Sequence, residues 1–129
     1  MPLLRIDLYE GRTDAELKVL LDAIHRSMLA AFGVPERDRY QIVHQHPVAD
    51  MIMEDTGLGI PRTGKFVCIQ VTTRPRTKEM KETFYRLLVE ELERARGIAP
   101  TDVMVNMVTC EDEDWSFGLG RAQFLTGEL

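Results

Sequence analysis

The chain has 129 residues, of which 44% are hydrophobic and 29% charged, a balance that suits one ordinary domain with a core of its own and carries no mark of disorder. Its formal net charge of -5 (16 Lys and Arg against 21 Asp and Glu) argues against broad binding to nucleic acid or anionic membrane, so an anion site must be local. No apolar run approaches the roughly 18 residues of a membrane span, and the first residues lack a charged segment followed by an apolar one, so a cytoplasmic location is expected. Cys68 and Cys110 lie in or beside apolar runs and read as small strand residues in a reducing compartment, with no disulfide implied.

Pro2 stands directly behind Met1. Without Met1, the chain would begin with a secondary amine whose reference pKa, roughly 7.7 to 8.0, allows it to act as base, acid or iminium former near neutral pH. Leu3 to Leu8 alternates loosely as a strand and would hold that amine on rigid scaffold. Thr13 and Glu16 form a capping box ahead of a helix with Leu17, Leu20, Leu21, Ile24, Met28 and Ala31 on one face, ending at Gly33 with Pro35 beyond. Tyr40 to His46 reads as the second strand. Met51 to Lys65 is a bridge punctuated by Gly57, Gly59, Pro61 and Gly64, in which Met51 to Met53 is a candidate short strand.

Phe66 to Thr72 reads as a strand, Lys78 to Arg96 as a helix burying Met80, Phe84, Leu87, Leu88 and Leu92, and Val103 to Thr109 as the closing strand. An acidic run, Glu111 to Asp114, reads as a solvated loop and precedes a tail with Trp115, Phe117 and Phe124. An internal repeat organises these elements: the offset of 64 from Gly33 to Gly97 also sets Arg12 on Arg76, Thr13 on Thr77, Ile24 on Leu88 and Asp38 on Asp102. Two strand-helix-strand halves, about 1–50 and 65–110, with a tail over 111–129, predict one α/β two-layer domain over 1–129. Its four-stranded mixed sheet would carry both helices on one face through right-handed crossovers. The other face needs a cover, and with no third layer in the sequence the expected cover is another copy of the chain.

Arg74-Pro75-Arg76 falls where the third strand ends and its helix begins. Guanidinium forks beside the donors of a helix start suit a carboxylate. If the first and third strands lie adjacent and antiparallel, Pro2 faces these arginines. His44 and His46 share a strand face but lack a nearby third ligand, and His25 has no evident catalytic partner, so no metal site is assigned. Neither a phosphate-binding glycine motif nor a serine or cysteine nucleophile motif occurs, and no cofactor is required.

Pro2, Glu10-Gly11-Arg12-Thr13-Asp14, Phe32-Gly33-Val34-Pro35, Asp38-Arg39-Tyr40, Glu54 to Gly59, Arg74-Pro75-Arg76, Asp114 to Gly118 and Phe124 to Gly127 together carry a resemblance that runs nearly end to end. The chain resembles the tautomerase superfamily and, within it, the malonate semialdehyde decarboxylase family; departures at His44 and around Arg62 to Cys68 lie outside the motif positions. The resemblance implies a homotrimer acting on a small oxo acid, with Pro2 as the key catalytic group and Asp38 as its partner. It implies Arg74 and Arg76 as substrate-binding arginines and Trp115, Phe117, Phe124 and Leu129 as an apolar wall. The implied reaction is cofactor-independent decarboxylation of malonate semialdehyde to acetaldehyde and carbon dioxide. Asp38 is expected to raise the pKa of Pro2 and favour its cationic form. The alternatives are a tautomerase or hydratase acting on an unsaturated 2-oxo acid, and a trimeric interaction protein on the same scaffold.

Overall fold

A computed structural model describes residues 1–129. Its elements in chain order are β1 (Leu3–Tyr9), α1 (Asp14–Phe32), β2 (Tyr40–His46), β3 (Val67–Thr73), α2 (Lys78–Arg96), β4 (Val103–Thr109) and α3 (Gln123–Thr126), with single 3-10 turns at Val48–Asp50, Pro100–Asp102 and Asp112–Asp114. The strands form one mixed sheet in the order β2-β1-β3-β4. Each half is parallel within itself, and the two halves meet through the antiparallel pair β1 and β3.

Alternation along the strands decides which face is buried. Leu4, Ile6 and Leu8 of β1 point with Val67, Ile69 and Val71 of β3 toward the helices, where Leu20, Ile24, Met28, Phe84, Leu88 and Leu92 meet them. The helices also pack on each other, with the Phe32 and Phe84 rings 5.7 Å apart. The opposite sheet face has no cover in the protomer and presents Ile42, Met104 and Val108, each more than a third exposed. No helix is long and apolar enough to cross a membrane.

The repeat is visible in the local chemistry of the helix ends. Thr13 accepts from the Glu16 N–H while Glu16 accepts from the Thr13 N–H, and Thr77 repeats the first of these bonds to Met80. Gly33 and Gly97 close the helices at φ 64 in each case, a left-handed conformation that glycine adopts without a Cβ penalty.

Three expectations need adjustment. The third strand runs from Val67 to Thr73, one residue later than expected, because the Phe66 N–H turns back to the Thr63 carbonyl. Met51 to Met53 is not a strand: a 3-10 turn precedes it, Met51 is buried, and its carbonyl is taken by the Tyr9 hydroxyl at 2.7 Å rather than by a ladder. The tail ends in the short helix α3, which the aromatic spacing did not announce. Replacing Gly33 or Gly97 by alanine forces a side chain into the left-handed region and is expected to lower stability by about 1 kcal/mol each. Urea unfolding would read this as a lower midpoint at unchanged slope; an unchanged midpoint would contradict it.

Candidate active site

The antiparallel register sets Leu3 against Thr72, and the parallel register sets Leu3 against Tyr40. One residue further back, Pro2 is buried where the end of β3, running into Arg74, meets the turn carrying Asp38 into β2. That turn is tied by the Asp38 N–H, which donates to the Pro35 carbonyl at 2.9 Å. The chain start, Asp38, Arg74 and Arg76 thus converge at one pole of the sheet.

Each arginine is held from behind. Arg76 donates from Nε to Thr73 Oγ1 at 3.1 Å and lies over the Phe32 ring, 4.9 Å from its centroid. Arg74 donates from Nε and Nη2 to the two oxygens of Asp112, at 2.7 and 3.3 Å, and lies 4.1 Å above the Phe124 ring. Both Nη groups of Arg76 and Nη1 of Arg74 have no protein partner, so these tips are the donors left for a ligand. Burial and the neighbouring charge of Arg74 lower the pKa of Arg76, with Asp38 acting in the opposite sense.

Charge at the chain start follows the same contest. The Met1 amine is lowered from its ordinary value of 8.0, first by burial and then by Arg76, with Asp38 raising it and Arg74 lowering it further. Asp38 thus acts to raise the pKa of the Met1 amine. Desolvation and the arginines outweigh it, so the net bias at this terminus is toward the neutral amine rather than the cation.

The aromatic tail folds back over this pole. Trp115 stacks on Phe117 with centroids 5.5 Å apart and planes at 8°, and Phe124 meets Phe117 edge-on at the same distance. Gln123 locks the turn between them: its Oε1 accepts from the Phe117 N–H at 2.9 Å and its Nε2 donates to the Gly118 carbonyl at 2.8 Å. Two open clefts result. One of about 410 Å³ is bounded by Met1, Asp38, Tyr40, Phe117 and Leu129; the other, of about 680 Å³, lies over Arg74 and Arg76 and is edged by Glu111, Asp112 and Glu113.

Of the four residues expected as an apolar wall, Trp115, Phe117 and Phe124 form one contiguous cluster and Leu129 lines a cleft with Phe117. Phe117 and Leu129 face the chain start, Phe124 supports Arg74, and Trp115 stands behind Phe117 with its indole N–H directed at Cys110 Sγ, 2.9 Å away. The acidic run is not simply solvated, because Asp112 grips Arg74. Tyr40, part of the Asp38-Arg39-Tyr40 motif, has its ring 6.0 Å from Phe117 and lines the cleft at the chain start; Gln123 lines it too and carries no sequence signal beyond its tail position. His46 is engaged by Asp7 at 2.7 Å, and buried His25 donates from Nε2 to the Glu36 carbonyl at 2.8 Å.

Two family models, both described as tautomerase enzyme, match this chain over residues 38–118 and 2–60. The chain belongs to the tautomerase family. The probable tautomerase YrdN of Bacillus subtilis (strain 168) is 57% identical over 129 residues and covers the whole of both chains. A crystal structure of malonate semialdehyde decarboxylase is 56% identical, superposes with a TM-score of 0.96 and covers 98% of each chain. The FG41 malonate semialdehyde decarboxylase inhibited by 3-bromopropiolate is 39% identical, with a TM-score of 0.93 over 98% of this chain and 97% of that one. As a tautomerase-family enzyme, this protein combines that fold with two arginine tips beside its chain start.

The electrostatic contest has a direct test in protein retaining Met1. Isotope-edited titration of the amine is expected to give a pKa below 8.0. Arg76→Gln removes a positive neighbour and raises it, whereas Asp38→Asn removes the carboxylate that favours the ammonium and lowers it further. Shifts of the opposite sign would contradict the assignment of these neighbours.

Proposed function

We propose that this protein is a cofactor-independent decarboxylase of a short 3-oxo acid, converting malonate semialdehyde to acetaldehyde and carbon dioxide with Pro2 as its reactive amine once Met1 is removed. The observation that carries this reading is the placement of two arginine tips, Arg74 and Arg76, beside the start of β1. The likeness to malonate semialdehyde decarboxylase over 98% of the chain supports it.

Loss of carbon dioxide from a 3-oxo acid leaves an electron pair that must flow toward the carbonyl. Arg74 and Arg76 would hold the carboxylate with its breaking bond aligned to the carbonyl π system, a positioning effect. Protonated Pro2 can stabilise the developing enolate by donating a hydrogen bond to the carbonyl oxygen. Neutral Pro2 can instead add to the aldehyde and expel water to form an iminium, a stronger sink. In that route the C–C bond pair passes into the iminium as carbon dioxide leaves. The resulting enamine takes a proton at carbon, and water then hydrolyses the iminium to release acetaldehyde and the amine. The iminium route needs the neutral amine, because only that form is nucleophilic. Asp38 would keep enough positive character at the amine for the proton steps, and Phe117 and Leu129 would limit water at the reacting end.

The likeness to the probable tautomerase YrdN supports a second reading, in which neutral Pro2 moves protons or activates water on an unsaturated 2-oxo acid as a tautomerase or hydratase. The uncovered sheet face supports a homotrimer, in which each copy buries that face against its neighbours. A non-catalytic trimer on this scaffold would retain the assembly without needing the amine.

Intact mass is expected to show Met1 absent, and its retention would remove the proposed catalyst. Processed protein incubated with malonate semialdehyde should release acetaldehyde and carbon dioxide. Pro2→Ala and Asp38→Asn are each expected to lower kcat by about 100-fold with the fold intact. Absence of product above the Pro2→Ala control would overturn the decarboxylase reading, and proton exchange or hydration of an unsaturated 2-oxo acid would then favour the second. Borohydride trapping of a substrate adduct on Pro2 during turnover is the expected signature of the iminium.

A further inference from the structure

The cleft over the arginines has an edge that a simple carboxylate clamp does not require. Glu111, Asp112 and Glu113 set three carboxylates against the two guanidiniums. These residues are not a loose rim. The Cys110 N–H donates to the Thr73 carbonyl at 2.9 Å, fixing the segment to the strand end that leads into Arg74. The turn is closed on itself as well, with the Glu111 N–H donating to Asp114 Oδ2 at 2.8 Å and the Asp114 N–H to the Glu111 carbonyl at 3.1 Å. From that fixed turn Asp112 occupies the Nε and Nη2 side of Arg74.

The consequence is electrostatic. Two unopposed guanidiniums would bind a dicarboxylate more tightly than a monocarboxylate, because the second negative charge would gain attraction as well. Here Asp112 already answers one guanidinium, and what remains accessible is Nη1 of Arg74 with the Nη groups of Arg76. One incoming carboxylate can complete those donors. A second on the same small molecule would approach the exposed carboxylates of Glu111 and Glu113, with no further guanidinium lining this cleft to meet it.

We propose that the turn Glu111-Asp112-Glu113 is the specificity element of the arginine site, admitting acids with one carboxylate and discriminating against those with two. The inference rests on the reading of Arg74 and Arg76 as the substrate clamp. It restricts the ligands of this site to monocarboxylates, a property that neither the fold nor the arginine pair supplies by itself.

The test reads binding alone. Propanoate and butanedioate, unreactive acids with one and two carboxylates, are titrated separately into processed protein at low ionic strength, following the Nε–H signals of Arg74 and Arg76 by NMR. Propanoate is expected to bind more tightly. Glu111→Gln combined with Glu113→Gln should shift the ratio of dissociation constants toward butanedioate by about fivefold, and Asp112→Asn should shift it the same way by about tenfold. Both shifts should shrink as salt is added. If Asp112→Asn disturbs the turn, the Glu113→Gln variant alone carries the test, since its side chain is exposed and makes no hydrogen bond.

A ratio that stays constant within twofold in every well-folded variant, or tighter binding of butanedioate by the parent protein, overturns the proposal. The outcome is separable from that of the decarboxylase assay. A shifted ratio without turnover would leave the selectivity intact and remove the reaction, whereas turnover with an unshifted ratio would do the reverse. Failure of both acids to perturb either arginine would remove the clamp and this proposal together.

Discussion

The antiparallel pairing of β1 with β3 is the constraint on which the rest depends. Parallel strands within each half begin at the same edge, so neither half alone can bring a chain start beside a strand end. The central pair reverses that relation and sets Leu3 against Thr72. The pairing is itself enforced by burial: a slip of one residue would turn Leu4, Ile6 and Leu8 away from the helices and expose them. Core packing thereby determines the neighbourhood of Pro2 to within a residue.

Once assembled, the site is governed by competition for a small number of positive charges. Asp112 takes one side of Arg74, Thr73 takes Nε of Arg76, and Asp38 acts on the amine against the arginines. These contacts cost the arginines some donors but aim the rest, and the rings of Phe124 and Phe32 restrict each guanidinium to one plane. Desolvation then becomes the largest influence on the Met1 amine, ahead of any single charge.

Helices and strands were legible because each is signalled locally. The capping box at Thr13 and Glu16, the glycine stops at Gly33 and Gly97 and the alternating strand residues carry their meaning within a few positions. The comparison of halves added the long-range step, and with it the meeting of Pro2 with Arg74 and Arg76. What was not legible depends on side chains that reach across the fold. Asp112 looks like one member of a charged run until the bond from Cys110 to Thr73 brings it under Arg74. Gln123 acts through two bonds to backbone groups that leave no residue pattern. Met51 to Met53 is an apolar run such as a short strand could hold, but the Met51 carbonyl is claimed by Tyr9 from β1.

The repeat also shows how the two poles of the sheet differ. At the far pole the offset of 64 places Phe66 at the position of Pro2, Glu10 at that of Arg74, Arg12 at that of Arg76 and Asp102 at that of Asp38. The polar groups there are turned to structure: Asp102 accepts from the Thr63 N–H at 2.7 Å and from its hydroxyl at 2.5 Å, Arg12 donates to the Lys65 carbonyl, and Arg62 lies over the buried Phe66 ring. Reverting those side chains would still not create a second amine, because the nitrogen at position 66 lies within a peptide bond and its N–H is committed to Thr63. A duplicated scaffold has two equivalent strand starts but only one chain terminus. The far pole is therefore free to serve folding, while the near pole keeps charged groups in partly desolvated positions that stability alone would not favour.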